Sequence, residues 1–221
     1  MAKFNRANLS LRLLSALVMA PLVLLAVYLG GWVYVLAVAL AVALGLREWL
    51  SLTRPSYILS LLGIPYLGGF GLAMFYLRAI PDNGAALVYY LLAVVWGTDI
   101  GAYVAGRTIG GPKLAPVISP NKTWSGLFGG MALAVAFGYG AAIGLDARKP
   151  SVALFLAILL AGIAQAGDLF KSYFKRRAGV KDSGQLIPGH GGMLDRIDGL
   201  IFAAIFLALL EALAGTTFRW W

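Results

Sequence analysis

Long apolar runs, broken by short polar or glycine- and proline-bearing segments, set the pattern of this chain. A helix needs about 20 apolar residues, at about 1.5 Å rise each, to cross the hydrocarbon core of a bilayer. Runs of that kind fall at roughly 11–30, 32–50, 57–77, 85–105, 124–145, 151–170 and 198–215. Gly30-Gly31, Pro81-Asp82-Asn83-Gly84 and the stretch from Asp146 to Pro150 separate several of them with turn-forming residues. Lipid offers backbone groups no partner, so each crossing segment must satisfy itself, and no stretch alternates as a barrel strand would. The pattern predicts an all-α polytopic integral membrane protein with about seven transmembrane helices. With no internal repeat or soluble linker, residues 1–221 read as one membrane-embedded domain.

Composition agrees. The chain is 61% hydrophobic and 12% charged, with mean hydropathy +0.84, outside the range of soluble domains. It has no cysteine, which removes disulfide and thiolate chemistry. The basic N-terminus before an apolar run is similar to a signal peptide, but more spans follow without a clear cleavage site, and it reads as a retained first helix. Threading the spans from a cytoplasmic N-terminus leaves only Arg78, Arg148, Lys149 and Arg219, of 18 Lys and Arg, on the far side. The positive-inside rule then makes the basic side cytoplasmic, in a bacterial inner membrane. The net charge of +9 is concentrated where anionic lipid headgroups and nucleotides lie, and no nucleic-acid partner is expected. Trp32, Trp49, Trp124, Trp220 and Trp221 fall near span ends and are expected to be interfacial anchors. Gly126, Gly129, Gly130, Gly138 and Gly140 are expected to let the fifth helix approach a neighbouring helix, or the mate in a homodimer.

Ionisable groups at membrane depth are costly and mark function by default. Asp99, Asp168, Asp182, Asp195 and Asp198 all fall at or near the cytoplasmic ends of spans. Asp99 and Asp168 have no obvious local cation. Asp195 and Asp198 are three apart, on one face of a helix; a capping role for Asp195 is the structural alternative. Hard oxygen donors without sulfur suit Mg²⁺, and a lone histidine without cysteine argues against zinc. A second polar island runs from Lys113 to Trp124, KLAPVISPNKTW. Ser119 and Asn121 can cap the fifth helix, while Lys122 and Thr123 at its start are placed to hold a phosphate. Arg107 and Lys113, just before, are candidate contacts for a headgroup or triphosphate. His190, between glycines in a loop, is a substrate-pocket candidate and not a metal ligand.

The densest chemistry lies in Ser172 to Asp198, SYFKRRAGVKDSGQLIPGHGGMLDRID. Ser172, Lys175-Arg176, Lys181-Asp182, His190-Gly191-Gly192 and Asp195-Arg196-x-Asp198 match the signature of the phosphatidate cytidylyltransferases (CDP-diacylglycerol synthases). Ser119 to Thr123, serine-proline-asparagine-lysine-threonine, resembles that family's other characteristic segment. The resemblance covers about residues 90–215, with residues 51–65 shorter than is usual in the family. It implies transfer of a cytidylyl group from CTP to phosphatidate, giving CDP-diacylglycerol and pyrophosphate. Phosphatidate already carries an anionic nucleophile, so the chemistry needs alignment and charge neutralisation more than an activated serine or cysteine. On this reading Asp168 and Asp195 bind Mg²⁺, with Asp198 and Asp99 as further ligands or supports; a second, monovalent cation is left open. Lys175, Arg176, Lys181 and Arg196 would steady the triphosphate, and Ser172, His190, Lys122, Thr123, Arg107 and Lys113 the substrates. A CDP-alcohol phosphotransferase would require D-x-x-D-G-x-x-A-R, which is absent. A transporter would place charges deeper in the spans or show repeated halves.

Overall fold

The computed structural model describes residues 6–180, 182–184, 186, 191–214 and 220–221, apart from the side chains of 6–14, 16 and 214. Among them are seven helices and one small hairpin: α1 (Arg6–Leu29), α2 (Gly31–Thr53), α3 (Tyr57–Ala79), α4 (Gly84–Thr108), β1 (Lys113–Ala115), β2 (Ser119–Thr123), α5 (Trp124–Gly144), α6 (Pro150–Arg177) and α7 (Leu194–Ala214). Five of these, α2 to α6, are long and apolar enough to cross a membrane. The described apolar part of α1, Leu17–Leu29, is shorter, and α7 carries Asp195, Arg196, Asp198 and Glu211. The protein is thus an integral membrane protein.

Leu22, Leu36, Leu61 and Phe155 project outward, each more than half exposed. In lipid such side chains need no protein cover, so packing rests on close van der Waals fit. α4 is the centre of that fit. Leu87, Val88, Tyr90, Leu91 and Val94 are fully enclosed as it runs against α5, α3, α6 and α7. The glycines of α5 serve the α4 crossing: a Cβ on Gly130 would stand 2.9 Å from Thr98 O, and one on Gly129 would run into Ala105. Gly140, by contrast, faces open space.

Two departures from the expected pattern appear here. The polar island folds as a hairpin: β1 and β2 pair antiparallel, Lys113 opposite Thr123 and Ala115 opposite Ser119. Outside the apolar spans, strands can satisfy one another's backbone. Not all the tryptophans are interfacial. Trp32 and Trp124 are exposed, but Trp49, Trp220 and Trp221 are buried. Trp49 donates to Leu59 O at 2.9 Å and packs on Tyr66 and Phe174, while Trp220 and Trp221 pack on Tyr90. A ring at a span end packs inward when neighbouring helices supply both an apolar wall and an acceptor for its N–H.

Candidate active site

The apolar run of α6 ends near residue 170, yet the helix continues to Arg177. Lys171, Ser172, Lys175 and Arg176 therefore stand on its last turns and not in a loop. Asp168, Lys171, Ser172 and Lys175 follow the three- and four-residue spacing of one helical face. α7 begins at Leu194, which puts Asp195 and Asp198 in its first turns, turned towards that face.

Lys171, 1% exposed, sits between the two acids. Its Nζ donates to Asp195 Oδ1 at 2.8 Å and also to Asp198 Oδ2. Lys175 Nζ donates to the same Asp195 Oδ1 at 2.9 Å. The other oxygen, Asp195 Oδ2, accepts the backbone N–H of Ser183 at 2.9 Å and of Gly192 at 3.1 Å. Asp198 Oδ1 accepts from Gly199 N at 2.7 Å. An ammonium buried this deeply persists only with such partners, since an isolated ion would lose several kcal/mol of solvation.

The hairpin supplies a third wall. Lys122 Nζ, from β2, lies 2.6 Å from Asp168 Oδ2 and 2.6 Å from Gln165 Oε1. Ser172 donates to Asp168 Oδ1 at 3.3 Å, and Asp168 stands close enough to Asp198 to interact through their side chains. Asp168 thus has a cation after all, brought in by folding. The cap of α5 is Thr123, whose oxygen accepts from Gly126 N at 3.1 Å, and not Ser119 or Asn121, which belong to the strand. Arg176 Nε donates to Ile118 O at 3.2 Å and ties the end of α6 to the hairpin.

Other predicted residues lie around this centre. Asp99, on α4, and Arg196, on α7, stand at one end of a cavity of about 510 Å³ whose walls are otherwise almost wholly apolar, among them Val23, Val38, Phe70, Leu92 and Leu200. Arg107, at the end of α4, donates to Tyr103 Oη at 2.9 Å, and Lys113 is exposed on β1. Asp182 is exposed. Lys181 and His190 lie outside the described residues.

Glu48, on α2, was not singled out from the sequence. Only 5% exposed, it accepts Met193 N and Leu194 N at 2.8 Å each and Ser183 Oγ at 3.0 Å. It thereby satisfies amides at the start of α7 that no helical carbonyl can reach. The signal was there: an acid in an apolar run.

Asp195 precedes the predicted span 198–215, on a helix outside the five apolar ones. Burial pushes its carboxyl up, but Lys171 and then Lys175 outweigh this and hold it well below the usual carboxylate range.

Among the described residues no group of three or more acids or histidines forms a ready-made metal cage. The donor chemistry still suits Mg²⁺, which takes one or two carboxylates and completes its shell with phosphate oxygens and water. Asp168 and Asp198 form such a neighbouring pair, and Asp99 lies within the field of both.

A buried lysine–aspartate cluster thus lies at one end of a helical membrane bundle, near an apolar cavity. Residues 55–213 match the model of the cytidylyltransferase family. The chain is 50% identical over 151 residues to the phosphatidate cytidylyltransferase of Brucella suis biovar 1 (strain 1330); that match covers 68% of this chain and 56% of the relative. It is 38% identical over 217 residues to the phosphatidate cytidylyltransferase of Rickettsia bellii (strain RML369-C), covering 95% of this chain and 93% of the relative. The Rickettsia conorii protein of the same name is 36% identical over 218 residues. The chain belongs to the cytidylyltransferase family. Its match spans little more than half the length of the Brucella relative.

Proposed function

We propose that this chain transfers the cytidylyl group of CTP to phosphatidate, forming CDP-diacylglycerol and pyrophosphate for phospholipid synthesis, at a site facing the cytoplasm from a bacterial inner membrane. The observation that carries the reading is the convergence of Lys122, Asp168, Lys171, Lys175, Asp195 and Asp198 from β2, α6 and α7. The names of the relatives point the same way.

A phosphatidate phosphate oxygen attacks the α-phosphorus of CTP. The bond from that phosphorus to the α,β-bridging oxygen breaks, and pyrophosphate leaves with the electron pair. No side chain need remove a proton from the nucleophile. Both substrates are highly anionic, so the barrier is set by bringing them together and by neutralising charge on the leaving pyrophosphate. Lys122, Lys171 and Lys175 are held by their aspartates before either substrate arrives, so their orientation costs little at the moment of reaction. Mg²⁺, held by Asp168 and Asp198 with Asp195 and Asp99 nearby, would supply polarisation of the phosphate oxygens and further neutralisation. Arg196, in the wall of the apolar cavity, would receive the lipid phosphate while acyl chain occupies the apolar part.

The test is incubation of the purified protein in detergent with CTP labelled in its cytosine, phosphatidate and Mg²⁺. The expected result is label in the lipid phase that depends on all three and is lost with EDTA. Water-soluble label alone, in reactions where a known cytidylyltransferase works, would reject the function.

A further inference from the structure

The reaction scheme above leaves one enclosed acid without a role. Glu48 stands beside Arg47 near the end of a largely apolar helix, and its described partners are a hydroxyl and two backbone amides, none of them a cation. Burying a carboxylate is costly unless its oxygens are filled, and here the described donors come from the connection between α6 and α7 and from the first residue of α7. Asp195 follows directly, in the first turn of α7.

Ser183 serves both acids: its hydroxyl goes to Glu48 Oε2 at 3.0 Å and its N–H to Asp195 Oδ2 at 2.9 Å. The consecutive amides of Gly192, Met193 and Leu194 are likewise divided, the first to Asp195 and the next two to Glu48. The fit around Glu48 leaves no slack. A Cβ on Gly184 would stand 2.7 Å from Glu48 Oε1, and one on Gly192 would collide with the same carboxylate. The next residue, Trp49, packs on Phe174 of α6 with ring centroids 4.8 Å apart. Adjacent residues of α2 thus fix both the loop that orients Asp195 and the helix that carries Lys171 and Lys175.

We infer that Glu48 is a positioning residue: by gripping Ser183, Met193 and Leu194 it sets the amides that aim Asp195 at Lys171 and Lys175. It acts through the loop and touches no substrate. The inference rests on the cytidylyl-transfer reading for its catalytic consequence, but not for its geometry. Two carboxylate oxygens meet three donors here, and a glutamine would turn one of them into an NH₂ group facing a donor.

The test compares wild type with Glu48→Gln in detergent. Leaving a buried donor unpaired costs a factor of about 10 to 100 in the local equilibrium, so amide hydrogen exchange should quicken by roughly that factor at Met193 and Leu194. If Glu48 positions Asp195, exchange at Ser183 and Gly192, whose amides bond Asp195, should quicken as well. The same variant should lose about 10- to 100-fold in kcat, need more Mg²⁺ for half-maximal rate, and keep its KM for CTP within about threefold. Faster exchange confined to Met193 and Leu194, with kcat and Mg²⁺ requirement unchanged, would reduce Glu48 to a helix cap and overturn the inference. Should Glu48→Gln not fold, Ser183→Ala removes one donor only. It should show the same pattern at smaller amplitude, and wild-type exchange at Gly192 would overturn the inference. Absence of CTP incorporation by wild type would reject the proposed function and leave the exchange comparison to decide the role of Glu48.

Discussion

Asp168 and Asp195 occupy unlike settings, and their substitution should fail for different reasons. Asp168→Asn removes the partner of Lys122 and one member of the acid pair with Asp198. Asp195→Asn weakens two ammonium contacts at once. Each change should reduce CTP incorporation by roughly 10³-fold or more, the several kcal/mol expected of a charge-stabilising centre, while size-exclusion profiles stay those of wild type. Asp182→Asn, at an exposed position, should cost far less. Because Lys171 and Lys175 hold the Asp195 carboxyl below its unfolded value, near ~3.9, its contribution to stability is complete above that pH and is lost as pH falls through the lowered folded value. Thermal unfolding should therefore show a wild-type advantage over Asp195→Asn that is constant from about pH 8 to 5 and shrinks only below about pH 4. A gap that narrowed already between pH 7 and 5 would contradict the assignment. At this scale the acids at 168, 195 and 198 were legible because charge stands out in an apolar run. Their cations were less so: Lys122 reaches Asp168 only when the hairpin folds against α6, and no spacing in the sequence announces that contact.

At the scale of elements, apolar length located the helices well, since lipid forces backbone satisfaction within each span. It failed where a helix outlasts its apolar run. α6 continues through Lys175 and Arg176 because its polar last turns are held by Asp195 and by Ile118 O. The hairpin was missed for a related reason: β1 and β2 together are too short and too polar to show alternation. The α4–α5 contact is the element-level feature most open to challenge. Gly129 sits where a side chain would strike Ala105, and Gly101 O would be 3.1 Å from its Cβ. Gly129→Val should therefore lower the unfolding temperature in detergent, with a loss of about 1–3 kcal/mol from overpacking. Gly140→Ala, facing open space, should leave it unchanged. Equal effects of the two would refute the packing account.

For the whole molecule, the separation of the two ends matters most. The acid–lysine cluster, the hairpin and the end of α6 gather at one end, and Pro81, Asp82 and Arg148 lie at the other, where they line a separate cavity of about 480 Å³. With no cysteine in the chain, single reporters read orientation directly. Val117, 89% exposed in the hairpin, is well placed for one. Val117→Cys should resist an impermeant thiol reagent in intact cells and Asp82→Cys should react; the reverse would put the site on the wrong side for CTP.

The central claim is cleavage between the α- and β-phosphates of CTP with capture of the α-phosphate by lipid. It is tested most directly by parallel reactions with purified protein, phosphatidate and Mg²⁺, using CTP labelled either at the α- or at the γ-phosphorus. Cytidylyl transfer predicts α-label in the lipid phase and γ-label in pyrophosphate, in equal amounts. Label from the γ-position in lipid, or none from the α-position, would contradict it.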